Sequence, residues 1–141
     1  MTIAIDFDGT IVTHEYPNIG KEIPFAIDTL KQLLLNPELQ LILWTVREGK
    51  ELAEAVEYCR NRGVEFYAVN NNYPEESKKN HEPRKLKVDL FIDDRNLGGL
   101  PDWGVIYRMI MSKNYFEAPT SETNHEYILQ KKGFFKTLFG G

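Results

Sequence analysis

The chain has 141 residues, of which 42% are hydrophobic and 27% charged, proportions typical of a globular protein rather than a disordered or fibrous one. Its 17 basic and 21 acidic residues give a net charge of −4, which argues against a wide basic face for duplex nucleic acid. From the length we expect a single domain over residues 1–141, with a core at about 1–110 and a C-terminal extension at about 111–141.

Neither a membrane span nor a secretory signal is expected, because no apolar run approaches the ~20 residues that a span requires. The single cysteine, Cys59, leaves no partner for an internal disulfide. A reducing cytoplasm is therefore the expected compartment.

Short aliphatic runs alternate along the chain with longer stretches of helical period. The runs predicted as strands are Thr2–Ile5, Leu39–Trp44, Val64–Val69 and Val88–Ile92, with Gly104–Tyr107 as a short fifth. Apolar side chains recur at helical spacing from Ile23 to Leu34 and again from Leu52 to Cys59. This alternation predicts an α/β fold with a doubly wound, mainly parallel sheet.

The alternation weakens beyond Tyr107. There the sequence predicts a loop over residues 112–120 and a polar helix over 124–132. Residues 133–139 form an aromatic tail, which we expect to pack against the domain or a partner.

Polar side chains follow the predicted strands, where each strand ends. They are Asp6 and Asp8 after the first, Thr45 after the second, Asn70 after the third, and Asp93 and Asp94 after the fourth, with Lys85 just ahead of the fourth. Open α/β sheets bind ligands beyond the carboxyl ends of their strands, so we expect these groups to converge. Two carboxylates about 4 Å apart repel by about 4 kcal/mol at an effective dielectric of 20, so protons or a cation must compensate. Oxygen ligands without histidine favour Mg²⁺ over zinc.

Four sequence segments, in this order, resemble the motifs of the haloacid dehalogenase superfamily. They are IDFDGTI (5–11), LILWT (41–45), RKLKVD (84–89) and LFIDDRN (90–96). The resemblance covers about residues 2 to 107. It implies a Rossmann-like core and Mg²⁺-dependent hydrolysis of a phosphomonoester through an aspartyl-phosphate. No cap domain is expected, because the gaps between Thr10, Thr45 and Lys85 are too short to hold one.

The resemblance implies catalytic roles for the matching residues. Asp6 would attack phosphorus, as a carboxylate already ionised at neutral pH. Asp8 would protonate the leaving alkoxide, then deprotonate the hydrolytic water, and would offer its backbone carbonyl to Mg²⁺. Thr45 would donate a hydrogen bond to the phosphoryl group. Lys85 would supply a fixed positive charge there, with Lys87 as the alternative.

The metal is implied to lie between Asp6 and the acidic pair that ends LFIDD. Asp94 matches the metal-ligand position best, and Asp93 is the second candidate. Because side chains alternate along a strand, we expect only one of the two to point straight into the site.

Further residues are candidate substrate contacts. They are Gly9, Thr10, His14, Arg47, Asn70 and Arg95, with Tyr16 beside His14 in a loop that superfamily members use as a flap. Structural alternatives stay open for several of them. The segment Thr45–Glu48 fits a helix capping box, and Asn70 fits a polar loop that tolerates left-handed backbone. The two arginines could instead pair with Glu48 and Asp102.

An open site without a cap favours a bulky substrate, namely a nucleic-acid end, a protein or a large metabolite, or closure by a partner subunit. The segment DLFIDDR (89–95) also resembles that of superfamily nucleotidases and polynucleotide 3′-phosphatases, which adds a nucleotide. Nucleic acid is thus expected only as a phosphate-end substrate. One rival is a phosphoacceptor signalling domain, whose acceptor would follow the third strand, where this chain has asparagines. The other is a module that binds Mg²⁺ and phosphate without turnover.

Overall fold

The computed structural model describes residues 1–76 and 85–116 of the chain, which divides into two compact units, Met1–Leu100 and Pro101–Gly141. Within the described residues, the strands are β1 (Thr2–Ile5), β2 (Gln40–Leu43), β3 (Ala68–Val69) and β4 (Leu90–Ile92). The helices described are α1 (Ala26–Leu34), α2 (Gly49–Arg60) and α3 (Trp103–Met111). The predicted helix at 124–132 and the aromatic tail lie outside the described residues. The expectation of a single domain stays a prediction.

The strands form one parallel sheet in the order β3-β2-β1-β4. Ile5, at the end of β1, pairs with Leu43 of β2 on one side and with Ile92 of β4 on the other. The strand order therefore reverses at β1, which makes the crevice between β1 and β4 the topological switch point of the sheet. The predicted α/β fold with a parallel sheet is confirmed, and no cap domain interrupts the described part of the chain.

The central strands are nearly continuous in apolar residues because both of their faces are covered. The buried side chains Ala4, Ile42 and Ala68, one from each of three neighbouring strands, pack together with Leu86 on one face of the sheet. Strand β3 is shorter than predicted, because the amide of Val64 still bonds to the carbonyl of Cys59 at the end of α2. The chain therefore reaches the sheet only near Tyr67.

Helix α1 begins later than its apolar period suggests. Phe25, the residue before it, has a left-handed backbone with φ of 67°, so the helix cannot extend back to Ile23. Helix α2 begins at Gly49, and Glu48 caps it without a side-chain hydrogen bond. The capping-box interpretation of Thr45–Glu48 is therefore wrong.

The short fifth strand predicted at Gly104–Tyr107 is also wrong, because this segment belongs to α3. The Asp102 side chain accepts a 2.8 Å hydrogen bond from the amide of Gly104 and starts the helix. Trp103, Ile106 and Ile110 are buried at helical spacing. A short apolar run fits either element, and here the cap decides between them. Helices long and apolar enough to cross a membrane are absent from the described residues.

Candidate active site

Three carboxylates meet at the switch point of the sheet. Asp6 follows β1, Asp93 and Asp94 follow β4, and each offers an oxygen within 4.8 Å of the others; we call these three residues the acidic cluster. The amide of Asp6 donates a 3.0 Å hydrogen bond to the carbonyl of Ile92, which extends the pairing of the two strands up to the cluster. The predicted convergence is confirmed for these three carboxylates. Both members of the Asp93–Asp94 pair reach it, whereas the sequence led us to expect only one.

Burial raises the pKa of the Asp6 carboxyl from 3.8 to about 6. A hydrogen bond from the backbone amide of Phe7 opposes this shift, and the negative charges of Asp93, Asp94 and Asp8 add to it. The carboxylate of Asp6 is therefore destabilised where it stands, since it has lost water and has anionic neighbours. A bound cation would relieve both effects.

The residues of the acidic cluster fit a hard divalent cation. All of their ligand atoms are carboxylate oxygens, the type that Mg²⁺ prefers. In addition, Asp94 Oδ1 is buried and has no hydrogen-bond partner among the described residues. A buried polar atom of this kind calls for a further partner, and a metal ion supplies one without needing a donor hydrogen.

Thr10 and His14 hold the acidic cluster together. The Thr10 hydroxyl is buried, accepts a 3.1 Å hydrogen bond from the amide of Asp94 and donates one of 3.4 Å to Asp6 Oδ2. It thus bridges β1 and β4 rather than facing a substrate. His14 Nε2 lies 2.8 Å from Asp94 Oδ2, so the ring orients that carboxylate.

Only glycine fits at position 9, because of its backbone conformation and because of the side chains around it. Its φ of +83° lies in the left-handed region, which favours glycine. A Cβ at this position would overlap His14 Nε2 and Asp94 Oδ2. The absence of a side chain at Gly9 therefore lets the two groups meet. This is a packing role, distinct from the substrate contact predicted from sequence.

A second carboxylate of the same motif has entirely different surroundings. Asp8 receives two hydrogen bonds from Arg47, one from Nε and one from Nη2, both of 2.7 Å. The Arg47 side chain is fully buried, and its hydrogen bond with Asp8 is the main cause that raises its pKa. The alternative left open from the sequence, a pairing of Arg47 with Glu48, is wrong, because Arg47 pairs with Asp8. Its burial and its contacts leave it a positioning role rather than an open substrate contact.

Arg47 also binds the loop that follows β1, residues 13–21, which we call the flap loop. Its guanidinium donates hydrogen bonds to the carbonyls of Pro17 at 3.0 Å and Asn18 at 2.8 Å. The rings of Phe7 and Tyr16 lie 5.1 and 5.2 Å from its Cζ atom, within cation–π range.

A pocket of about 680 Å³ opens at this edge of the sheet. It is lined by Asp6, Asp8, His14, Tyr16, Trp44, Thr45, Val46, Asp93 and Arg95. Sequence reasoning did not assign Trp44 and Val46 to the site, although both flank Thr45. The available signal was an apolar residue, Val46, just past a strand end. In the structure Val46 is 90% exposed.

Thr45 lines the pocket and is held in place by local hydrogen bonds. Its hydroxyl accepts a 3.2 Å bond from the amide of Arg47, and its own amide donates to Asn70 Oδ1 at 2.8 Å. Asn70 has the left-handed backbone that the sequence suggested, with φ of 53°. It supports the loop after β2 and is not among the residues that line the pocket.

Among the described residues, neither candidate lysine forms an ion pair with the acidic cluster. Lys85 Nζ lies 5.3 Å from the centre of the Phe91 ring, and the amide of Lys87 bonds to Asn72 Oδ1. Neither residue lines the pocket. The role of the lysine stays a prediction.

No protein-family model matches the chain, and no curated protein does. A solved structure of a conserved protein from Bacteroides thetaiotaomicron does match, with a TM-score of 0.73 and 64% sequence identity. The match covers 80% of this chain and 91% of the Bacteroides chain. Sequence identity at this level over most of both chains establishes common descent, and the chain belongs to the family of this conserved Bacteroides protein.

Proposed function

We propose that the chain is a cytoplasmic, Mg²⁺-dependent phosphomonoester hydrolase of the haloacid dehalogenase type. The observation that carries the proposal is the acidic cluster, in which Asp6 lies within 4.8 Å of Asp93 and Asp94 at the switch point of the sheet. Asp6 also lines the pocket, so the same carboxylate faces both the cation site and the space for a substrate.

In the proposed reaction an oxygen of Asp6 attacks phosphorus, and the bond between phosphorus and the ester oxygen breaks. The leaving alkoxide takes a proton from Asp8, once Asp8 is released from Arg47 and protonated, and departs as an alcohol, which leaves an aspartyl-phosphate. Water then gives a proton to the Asp8 carboxylate and attacks this phosphorus. The bond between phosphorus and the Asp6 oxygen breaks, which releases inorganic phosphate and restores the Asp6 carboxylate. When bound at the acidic cluster, Mg²⁺ would neutralise the repulsion between Asp6 and the phosphoryl oxygens.

The shape of the pocket supports an organic phosphate with a sizeable leaving group. Tyr16 and Val46, exposed by 61% and 90%, provide apolar surface beside Asp6, and Trp44 adds an aromatic ring. Arg95 adds a positive charge. A nucleotide or a phosphorylated nucleic-acid end has the flat base and the extra anionic group that such walls would contact.

The test is hydrolysis of p-nitrophenyl phosphate and a panel of nucleotides with Mg²⁺ or with EDTA. Activity is expected with Mg²⁺ only, and Asp6→Asn should lower kcat by at least about 10³-fold, because an amide cannot attack phosphorus. Asp28→Asn is the matched control, since Asp28 lies in the first turn of α1 and does not line the pocket. Activity that survives EDTA or the Asp6 substitution would exclude this mechanism.

One observation favours a second candidate, a module that binds Mg²⁺ and phosphate without turnover. Arg47 engages both carboxylate oxygens of Asp8, so Asp8 cannot hand a proton to a leaving group while the pair is intact. Calorimetry separates the two candidates. Mg²⁺ binding that is lost in Asp6→Asn, together with no turnover on any substrate, would favour the binding module.

A further inference from the structure

Arg47 is the residue through which the flap loop and the Asp8 carboxylate are joined. Arg47 lies in the segment that connects β2 to α2. Its guanidinium donates two hydrogen bonds to Asp8 and two to the flap loop, one each to the carbonyls of Pro17 and Asn18. A fully buried guanidinium is stable only when its donors are paired, so these contacts are mutually dependent.

We propose that Arg47 is a positioning residue that couples the flap loop to Asp8, so that displacement of the loop and release of the Asp8 carboxylate are one event. The coupling follows from geometry. Arg47 Nη2 donates hydrogen bonds to both Asp8 Oδ1 at 2.7 Å and Asn18 O at 2.8 Å. The guanidinium therefore cannot move toward one of these acceptors without weakening its hydrogen bond to the other. Its planar fork fixes both directions, which a lysine ammonium would not do.

Two residues of the flap loop, His14 and Tyr16, line the pocket. Tyr16 lies beside the guanidinium, and His14 holds Asp94 of the acidic cluster. A substrate that displaces the flap loop would thus free Asp8 in the pocket at the moment of binding. This functional consequence rests on the proposed phosphatase activity, whereas the coupling itself does not.

Hydrogen exchange tests the coupling without a substrate. The amides of Thr13 and Lys21 bond across the base of the flap loop, to Lys21 O at 2.8 Å and Thr13 Oγ1 at 2.9 Å. In Arg47→Lys we expect the amide hydrogens of residues 13–21 to exchange roughly tenfold faster, because about one charged hydrogen bond to the flap loop is lost. Arg60→Lys, at an exposed arginine of α2, is the matched control and should leave exchange unchanged.

Kinetics provide the readout that a purely structural role would not affect. If Arg47 acts through Asp8, Arg47→Lys should change kcat about tenfold when Asp8 is present, because the pair controls how far Asp8 is free, and have little further effect when Asp8→Asn is already present. Equal changes in both backgrounds would show that Arg47 does not act through Asp8.

Should Arg47→Lys fail to fold, the double variant Asp8→Leu with Arg47→Met replaces the buried pair by apolar side chains, an exchange that proteins often tolerate. It should fold and show the same fast exchange in residues 13–21. Flap-loop exchange at the wild-type rate in a folded variant lacking Arg47 overturns the proposal. Absence of turnover in the wild-type chain would instead count against the phosphatase function and leave the exchange result to decide the coupling.

Discussion

Asp6 and Asp8 are two residues apart in one motif, yet they lie in opposite electrostatic surroundings. Asp6 belongs to the acidic cluster, where burial and like charges raise the pKa of its carboxyl to about 6. Asp8 accepts two hydrogen bonds of 2.7 Å from a buried guanidinium. The difference arises because Asp6 lies next to the end of β4, where its amide bonds to Ile92. Asp8 lies two residues further along the loop after β1 and contacts Arg47, which is 39 positions away in the sequence. Carboxylates at one strand end are therefore not electrostatically equivalent.

The largest expected effect concerns the buried pair. Asp8→Asn removes the charge that compensates Arg47 and should lower the free energy of unfolding by about 3 kcal/mol. Urea denaturation of the metal-free protein measures this change. A loss below about 1 kcal/mol, the range of exposed ion pairs, would show that water reaches the pair in solution.

An effect of similar size concerns Gly9, which directly follows Asp8 in the same motif and lies against His14 and Asp94. Gly9→Ala should destabilise the protein by about 3 kcal/mol, because the new Cβ meets His14 and Asp94 and the backbone φ is positive. Gly98→Ala is the matched control, since Gly98 has a φ of +90° and no atom of the described residues lies within 4 Å of its Cβ position. It should show only the backbone strain, about 1 kcal/mol. Equal losses at both glycines would mean that the His14–Asp94 contact does not restrict position 9.

The smallest effect has the opposite sign. Asp6→Asn should raise the free energy of unfolding of the metal-free protein by about 1 kcal/mol at neutral pH. This value is smaller than the free energy that corresponds to the full pKa shift, because solvent partly screens the Asp6 carboxylate. Thermal unfolding in EDTA should show a Tm about 3 °C higher.

The pH dependence of this gain follows from the pKa of Asp6. Above about pH 6 the carboxylate is ionised in both states, and the folded state bears the unfavourable charge. As the pH falls through about 6 the folded state takes up its proton first, so the advantage of Asp6→Asn shrinks and is gone below about 3.8. Destabilisation by Asp6→Asn at pH 7 would contradict this account.

The amino-acid sequence by itself determined the sheet and the meeting of the acidic groups. Alternating aliphatic runs and helical periods predict parallel strands, and parallel strands bring their carboxyl ends to one edge, so Asp6 and Asp94 had to approach each other. Local chemistry also indicated a polar loop that tolerates a left-handed backbone at Asn70–Asn72, and Asn70 adopts one. These properties depend on side-chain period and strand direction, which are written along the chain.

Only the tertiary structure decided which groups pair. The sequence placed Arg47 at the mouth of the site, whereas packing buries it against Asp8 and the flap loop. It marked Thr10 as a substrate contact, whereas the hydroxyl bridges β1 and β4. Hydrogen bonds between residues some 40 to 80 positions apart depend on loop paths and rotamers, and no periodicity encodes those. Tertiary packing therefore fixes which carboxylate is paired with an arginine and which lies in the acidic cluster.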